Sequence, residues 1–220
     1  MQLVAGIVQL LIFQHLALLM ARAKPLNDVS SLYAYASKCN GSITSIMSQI
    51  HSLIMNMHLK AKERFDIYAH SQNLHSVNVS TVCHAQHREF FIFSANSTSS
   101  EEEKLTELYK IFHYMNTAMG NITQDQMNLN PGNSILHKEL NTSKTEIAAV
   151  ISNLSCVLSK RYNLPKADMY YRINSRERTM EKKKKGCKVL RKYKHFLTQA
   201  AEITSDWEVK VGDTRDPSFD

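Results

Sequence analysis

The chain lacks the short motifs by which most enzymes are recognised. It has only six glycines, with no Gly-x-Ser-x-Gly turn and no glycine-rich loop that could hold a phosphate. It also has no Glu-x-x-His sequence, which di-iron carboxylate bundles need on two helices to bring both ligands to one inward face. These absences argue against hydrolase, nucleotide-binding and di-iron chemistry. We therefore expect neither enzymatic activity nor a cofactor.

Histidine pairs are present, but they lack the further ligands of a metal site. His51 and His58 are seven residues apart. His84 and His87 follow a cysteine in the next stretch of chain. A zinc site needs three or four ligands at compatible spacing, and neither pair has a third and a fourth. We predict surface or rim histidines and no metal.

No apolar run beyond the N-terminus is long enough to cross a bilayer. Residues 1–20 are mostly apolar, and Ala21-Arg22-Ala23 follows as a small-x-small cleavage signal. This pattern predicts a signal peptide over 1–23, so that Lys24 would begin a secreted, extracellular chain. Polar residues inside the run argue against a retained membrane anchor.

Six Asn-x-Ser/Thr sequons agree with a secreted route, since each is an acceptor for N-glycosylation. One sequon could arise by chance, whereas six in this length are hard to reconcile with the cytosol. The six stand at Asn40, Asn78, Asn96, Asn121, Asn141 and Asn153.

Four stretches of the chain repeat apolar residues at steps of three and four, the period of one face of an α-helix. Each covers roughly 25 residues, so each predicted helix is on the order of 37 Å long. The four apolar stripes run from Ile43 to Phe65, Leu105 to Ile122, Leu136 to Val157 and Met180 to Ala200.

The three connections between these helices predict the topology. Asn128–Asn133 reach roughly 20 Å when extended, too little to span a helix, so the second and third helices must run antiparallel. The connections near 69–98 and 163–177 are long enough to cross over. This spacing is typical of an all-α, long-chain four-helix bundle with up-up-down-down topology. An up-down bundle, in which the long loops do not cross over the length of the bundle, is the alternative. Loops this long are uncommon where the topology does not require them.

Four cysteines remain in the predicted mature chain, an even number that suits disulfides outside the cell and leaves no thiol nucleophile. Cys39 precedes the first helix and Cys156 lies late in an antiparallel one, so the two should meet at one end of the bundle. Cys187 lies early in the fourth helix, at the other end, which leaves Cys83 of the first crossover as its partner. A Cys39–Cys187 bridge would have to cross nearly a helix length, against a Cα separation of about 5.5 Å in a disulfide.

The net charge of +7 is concentrated near the start of the fourth helix. Between Arg172 and Lys194 there are eleven lysines and arginines against two glutamates. A solvated surface is the ordinary explanation, but this concentration favours a surface for an acidic partner, either a receptor patch or a sulfated polysaccharide. No nucleic-acid-binding motif accompanies the run, so nucleic acid is not an expected partner.

The mature chain has the length of one domain, which we place at 24–203. Residues 204–220 lose the helical periodicity and carry five Asp or Glu. We predict that they form a mobile acidic tail.

Runs between about Lys104 and Ala201 occur in the order and at nearly the spacing of a known family. Among them are Gly120-Asn-Ile-Thr-Gln-Asp-Gln126, Lys160-Arg-Tyr162 and Lys182-Lys-Lys-Lys-Gly-Cys187. The chain resembles the interleukin-6 family of long-chain helical cytokines, in particular its leukemia-inhibitory-factor branch. The oncostatin M and ciliary-neurotrophic branches are the alternatives.

The resemblance implies a monomeric ligand, not inserted in the membrane, that bridges two receptor chains to trigger JAK–STAT signalling. A leukemia-inhibitory-factor-type receptor would bind the start of the fourth helix, where Met180 and Lys183 match a family Phe-x-x-Lys motif with Met in place of the aromatic residue. The shared signal-transducing subunit would bind a face of the first and third helices. The matching positions there are Gln49, Ser52, Asn56, Thr145, Glu146, Ala149 and Ser152.

Two further expectations come with the resemblance. The family has six cysteines, and Ser159 stands at one of those positions while none precedes Cys39 in the mature chain. Both halves of one family disulfide are thus missing together, and the remaining pairs are those that bundle geometry favours. A glycan on Asn153 would crowd the predicted receptor face, so we expect that sequon to be unused or to point aside.

A different class of protein is the alternative to a cytokine. A secreted cationic helical protein that binds glycosaminoglycans or kills microbes would also carry a basic segment from Arg172 to Lys194. Salt dependence separates the two, because polysaccharide binding collapses as salt rises, whereas a packed receptor interface weakens modestly.

Overall fold

The computed structural model describes residues 39, 41–74, 79–84, 92–163 and 178–207. The predicted signal peptide and the sequons Asn40 and Asn78 lie outside the described residues. The helices of the described part are α1 (Ile43–Ser71), α2 (Val79–Val82), α3 (Glu101–Leu129), α4 (Ser134–Tyr162) and α5 (Thr179–Ile203), followed by a 3-10 turn at Ser205–Trp207.

The four long helices coincide with the four apolar stripes, and side chains at their starts satisfy amides that have no partner within the helix. At α3, Ser100 Oγ accepts from the Glu103 amide at 3.2 Å, and the Glu103 carboxylate accepts from the Ser100 amide at 2.9 Å. This reciprocal pair is a capping box, which a serine forms with a glutamate three residues later. At α4, Asn133 Oδ1 accepts from the Leu136 amide at 3.0 Å. The one-turn α2 was not predicted.

Contacts between the helices define the topology. α1 and α3 each contact both α4 and α5. Near the start of α1, His51 Nδ1 lies 3.0 Å from the hydroxyl of Thr204, just beyond the end of α5. Near the end of α1, the Tyr68 hydroxyl donates a hydrogen bond to the carbonyl of Lys183, near the start of α5. Helices α1 and α5 are therefore antiparallel. Gln126, near the end of α3, also bonds to Tyr68, so α1 and α3 are parallel. Because α3 and α4 are joined by a tight turn, the predicted up-up-down-down bundle is confirmed.

The four stripes pack into one apolar core that includes contacts between aromatic rings. The ring of Phe196 meets those of Phe112 at 5.0 Å and Phe93 at 5.4 Å, both edge to face. The Tyr193 hydroxyl donates to Met57 Sδ at 3.3 Å. Burying each such side chain stabilises the fold by about 1.5–3 kcal/mol, and a core packed in this way holds the outer faces of the helices in fixed positions.

Disulfides close opposite ends of the bundle. Cys39–Cys156 joins the segment before α1 to α4, and Cys83–Cys187 joins the first connection to α5. These are the two pairs that the sequence predicts. We call the end that holds Cys187 and the start of α5 the proximal end, and the end that holds Cys39 the distal end.

The C-terminal segment packs further than the sequence suggests. The predicted tail begins at residue 204, but Thr204 is fully buried and Trp207 is 7% exposed. The helical periodicity stops there because the chain changes to a 3-10 turn, which still packs on α1 and α5. The same packing buries His51 against Thr204, so the prediction of a rim or surface position for this histidine was wrong. Residues 208–220 lie outside the described part.

Candidate functional site

The start of α5, at the proximal end, presents an apolar and a cationic side chain one helical turn apart. Met180 is 56% exposed and is one of five large apolar residues that are exposed in the described part. Lys183 is half-buried, and its ammonium group forms no ion pair with any carboxylate of the described residues. Both side chains are therefore available to a partner.

The four consecutive lysines at the start of α5 are not equivalent, although the sequence does not distinguish them. Lys182 forms an ion pair with Asp125 of α3 at 2.7 Å, and each side chain is about a quarter exposed. This pair helps to hold α5 against α3 at the proximal end. Lys182 is thus used within the bundle, whereas its neighbour Lys183 is not.

A close approach of two helices fixes the backbone beside Lys183. A Cβ atom on Gly186 would lie 2.1 Å from Tyr68 Oη, so α5 can pack here only with glycine. The fully buried Tyr68 hydroxyl donates to the Lys183 carbonyl at 3.1 Å and accepts from Gln126 Nε2 at 3.4 Å. Burial, with a smaller contribution from Asp125, raises the pKa of Tyr68. The hydroxyl therefore stays protonated and able to donate.

Side-chain amides tie the α3–α4 turn to the same end of the bundle. Gln126 Oε1 accepts from Gln72 Nε2 at 2.7 Å and from Asn130 Nδ2 at 2.6 Å. Asn133 Nδ2 donates to Ser71 Oγ at 2.9 Å. Buried polar groups that are paired in this way rigidify their surroundings. Met180 and Lys183 thus stand on a firmly held end of the bundle.

A second candidate surface runs along α1 and α4. Gln49, Ser52 and Asn56 are exposed on α1, and Thr145 is exposed on α4. Ala149 and Ser152 are half-buried on α4. Asn56 Nδ2 donates to Glu146 Oε1 at 3.2 Å, which brings the two sets side by side. We call these seven positions the α1/α4 face.

Glu146 differs from the other members of the α1/α4 face. Its side chain is only 12% exposed, and its Oε2 accepts from Arg64 Nη1 at 2.5 Å. Arg64 is 4% exposed and also donates from Nε to Glu139 Oε2 at 3.1 Å. Desolvation opposes the charged guanidinium, but the two carboxylates outweigh it and raise the pKa of Arg64. The Glu146 carboxylate therefore joins α4 to α1 and is not freely available to a partner.

Leu59 is a surface residue that sequence reasoning missed. It follows Asn56 by three residues on α1, one turn along the same side of the helix, and it is 74% exposed. Leu59 continues the three- and four-residue steps of Ser52 and Asn56 and lies off the apolar stripe of α1, which is the sequence signal that could have identified it as an apolar addition to the α1/α4 face.

Four of the six sequons lie in the described part of the chain. Asn96 and Asn141 are exposed, while Asn121 and Asn153 are half-buried. Asn121 Nδ2, the atom to which a glycan would be attached, donates to the Thr117 carbonyl at 3.0 Å. Exposure therefore favours Asn96 and Asn141 as the accessible acceptors.

The described part has no metal-binding cluster, and the Glu107 carboxylate in a groove beside α3 is already hydrogen-bonded. No group of three or more His, Cys, Asp or Glu in it is placed to hold a metal ion. A groove of about 670 Å³ lies beside the start of α3. The Glu107 carboxylate in that groove already accepts from the amides of Ser94 at 2.8 Å and Ala95 at 2.5 Å. Glu107 thus anchors the connection to α3.

A family model described as the LIF / OSM family matches residues 45–204. The matched span includes the α1/α4 face and the start of α5, as well as most of the core. None of the helices in the described ranges has both the length and the apolar character needed to cross a membrane.

Proposed function

We propose that this chain, which belongs to the LIF / OSM family, is a secreted cytokine that bridges a leukemia-inhibitory-factor-type receptor and the shared signal-transducing subunit. Membership places it among helical cytokines that bind cell-surface receptors, a family that is not enzymatic. The bridging of two chains would trigger JAK–STAT signalling. The sequence runs near the end of α3 and the start of α5 resemble leukemia inhibitory factor. Oncostatin M or a ciliary-neurotrophic-type factor is the alternative.

The observation that carries this proposal is the pair of Met180 and Lys183 on the rigid proximal end. A lysine at an interface gains most from an acidic partner when water is excluded around it. The apolar side chain one turn earlier would provide that exclusion. Because Tyr68 holds the Lys183 backbone, little ordering of α5 would be needed on binding.

The first test changes these two residues. Lys183→Ala is expected to weaken binding to the leukemia-inhibitory-factor-type receptor by about 1–3 kcal/mol, a hot-spot magnitude. Adding Met180→Ala should weaken it further, since the apolar shield is lost as well. Met180→Phe should be neutral or better, because an aromatic ring fills a pocket more rigidly than a flexible thioether. Surface binding to the immobilised receptor ectodomain measures all three.

Lys184→Ala is the matched control, because Lys184 is the adjacent exposed lysine. It should bind like the parent. Normal binding by Lys183→Ala together with weakened binding by Lys184→Ala would show that the receptor reads a different lysine, and the motif would then have been misplaced.

The second test addresses the α1/α4 face. Thr145→Arg should leave folding intact and reduce recruitment of the shared subunit at least tenfold, because a long charged side chain would separate the two surfaces. Ala149→Arg and Ser152→Arg should act in the same direction. Binding of the shared subunit is measured on a preformed complex with the first receptor, and thermal unfolding is followed in parallel.

Thr198→Arg provides a closely matched control. Thr198 is also exposed on a helix, and its hydroxyl donates to the carbonyl four residues earlier at 3.2 Å, as that of Thr145 does. It lies on α5, outside the α1/α4 face. Equal losses from Thr145→Arg and Thr198→Arg would rule out a dedicated face. A stability loss that matched the signalling loss would show that Thr145→Arg acts through the fold and not through a receptor contact.

A pull-down of the mature protein with both receptor ectodomains distinguishes the classes of function. The cytokine proposal expects both ectodomains to be captured together at physiological salt. A cationic polysaccharide-binding or antimicrobial protein, the alternative class, would capture neither and would instead show strongly salt-dependent binding to polyanions.

A further inference from the structure

Leu59 is the most exposed of the five large apolar side chains that the described part of the chain presents to solvent, at 74%. Met180, another of the five, already belongs to the proposed receptor site. A single exposed leucine is common on protein surfaces and has no meaning by itself. Its neighbours on the helix, the rigidity of the backbone beneath it and the charges around it therefore decide whether a partner uses it.

Leu59 lies on the outer side of α1, in line with predicted receptor positions. Ser52, Asn56 and Leu59 follow one another at steps of four and three, so they share one side of the helix. Met57, which is fully buried, points the opposite way into the core. Met55, one turn before Leu59, is half-buried and packs against the core. Leu59 and Met55 thus form a small apolar patch at the edge of the α1/α4 face.

Two contacts with α4 fix the turn of α1 that carries Leu59. Asn56 Nδ2 donates to Glu146 Oε1 at 3.2 Å, and Arg64 Nη1 donates to Glu146 Oε2 at 2.5 Å. Leu59 lies between Asn56 and Arg64 in sequence. The backbone beneath it is therefore held in place before a partner arrives, and a leucine has few rotamers to lose on binding. A contact made by Leu59 would keep most of its burial energy as affinity.

The charges around Leu59 cancel. Lys62 and Asp66 form an ion pair at 2.8 Å, one turn apart on α1. Lys60 and Glu63 are exposed beside Leu59 and carry opposite signs. Such a surface has no strong potential of either sign and does not attract a polyanion or an acidic membrane. The partner surface that matches it is neutral and apolar.

The small size of this patch argues against a partner that binds it alone. Each member of a stable complex buries about 800 Å², and one leucine with a half-buried methionine offers only a small part of that area. A second copy of this chain docked on Leu59 alone would therefore bury too little. The patch reaches the required size only together with the α1/α4 face, which it continues.

We propose that Leu59 is the main apolar contact of the α1/α4 face and that the shared signal-transducing subunit receives it in a neutral, apolar depression. This inference rests on the proposed function of the chain. Hot spots in protein interfaces combine an apolar centre with a rim that excludes water. The family-matched positions of the face supply only such a rim, because none of them has a large apolar side chain: Gln49, Ser52, Asn56, Thr145, Glu146, Ala149 and Ser152.

The first variant to measure is Leu59→Ala. It should lower the affinity of the shared subunit for a preformed complex of cytokine and first receptor about tenfold to a hundredfold, the size of a hot-spot truncation. Its Tm should stay within about 2 °C of the parent, since the leucine is exposed and its loss leaves no cavity. Affinity for the first receptor should not change. Leu59→Met, which conserves volume, should keep most of the affinity for the shared subunit.

Ile92→Ala is the matched control, because Ile92 is 72% exposed and lies in the connection before α3, outside the α1/α4 face. This variant loses a similar apolar side chain and should bind the shared subunit like the parent. An equal loss from both variants would overturn the proposal, because binding would then depend on exposed apolar surface in general.

Salt dependence tests the neutral character of the contact. Raising salt from about 0.1 M to about 0.5 M screens exposed charges, so binding of the shared subunit should change less than about threefold over this range. A loss of about tenfold or more would assign the binding energy to charged groups and overturn the proposed apolar depression.

The outcome for Leu59 is separable from the outcome for the receptor proposal. Parent-like binding by Leu59→Ala, together with weakened binding by Thr145→Arg, would overturn this inference and leave the α1/α4 face as a receptor site. A parent protein that fails to recruit the shared subunit at all would overturn both. Sedimentation supplies the last test: a concentration-dependent dimer that Leu59→Ala abolishes would assign the patch to a second copy of this chain and overturn the assignment to the shared subunit.

Discussion

Replacing Glu146 with alanine is expected to lower the free energy of unfolding by about 3–5 kcal/mol, the range found when one member of a buried ion pair is removed. Arg64 is 4% exposed, and Glu146 is its closer carboxylate. The Nη2 atom of Arg64 has no hydrogen-bond partner within the described residues even in the parent protein. Without Glu146 the guanidinium would depend on Glu139 alone, and Asn56 would lose its acceptor on α4.

Thermal and denaturant unfolding measure this loss, which corresponds to a fall in Tm of roughly 6–20 °C for a chain of this size. Glu139→Ala is the natural comparison and should cost less, since that carboxylate is 28% exposed. Replacing Arg64 and Glu146 together with leucine should recover much of the stability, because the most deeply buried charges are then removed together. Glu139 loses its partner in that variant, but its side chain is 28% exposed and can be hydrated. A single Glu146→Ala variant as stable as the parent would contradict the assignment.

Measuring both stability and receptor binding of the Glu146→Ala variant also distinguishes two explanations for a loss of signalling. If Glu146 acts through the fold, binding of both receptor chains should fall together with stability. A direct contact with the shared subunit would instead reduce one binding step and leave the melting temperature unchanged. Thr145→Arg, on the adjacent exposed position, is expected to show that second pattern.

Gly186→Ala is expected to destabilise the protein by about 2–5 kcal/mol through overpacking and the loss of buried hydrogen bonds. The added methyl would lie 2.1 Å from Tyr68 Oη and 2.6 Å from Cζ. Tyr68 cannot move easily, since it is fully buried and bonded to α3 and α5. Alanine is the better helix former by about 1 kcal/mol, which offsets only part of the clash.

Gly120→Ala is the control, because Gly120 lies inside α3 and a Cβ there would meet nothing within 4 Å. It should be neutral or stabilise by up to about 1 kcal/mol. Combining Gly186→Ala with Tyr68→Leu should cost less than the sum of the single changes, because leucine removes both atoms that the methyl would hit. Equal behaviour of the two glycine variants would contradict the close packing.

Local pattern and chain length were enough to predict much of this fold. The apolar stripes gave the long helices because a helix that buries one side repeats every three to four residues. The short reach of Asn128–Asn133 then required antiparallel neighbours, and the two long connections permitted the crossovers. With the directions known, only one cysteine pairing was compatible with the ends of the bundle.

Contacts between residues far apart in sequence could not be predicted in the same way. Arg64 stands in a charged run on α1, with Glu63 and Asp66 close by in sequence. Nothing in that run indicates that its partner is Glu146, 82 residues later. Glu146 was therefore grouped with exposed receptor positions, although its charge is used to join two helices. Gly186 belongs to a recognisable run, but the reason for glycine there lies on Tyr68 of another helix.

Trp207 is the one tryptophan of the chain, and it packs at the distal end, on the 3-10 turn that follows α5. Its indole is 7% exposed and belongs to the same apolar cluster as the helices. Intrinsic fluorescence excited at the indole band therefore comes from a single place in the molecule. We expect the emission to be blue-shifted, to stay so when a receptor binds at the proximal end, and to move to the red only when the turn detaches. Tryptophan fluorescence would therefore report the packing of the C-terminal turn on the bundle without any added label.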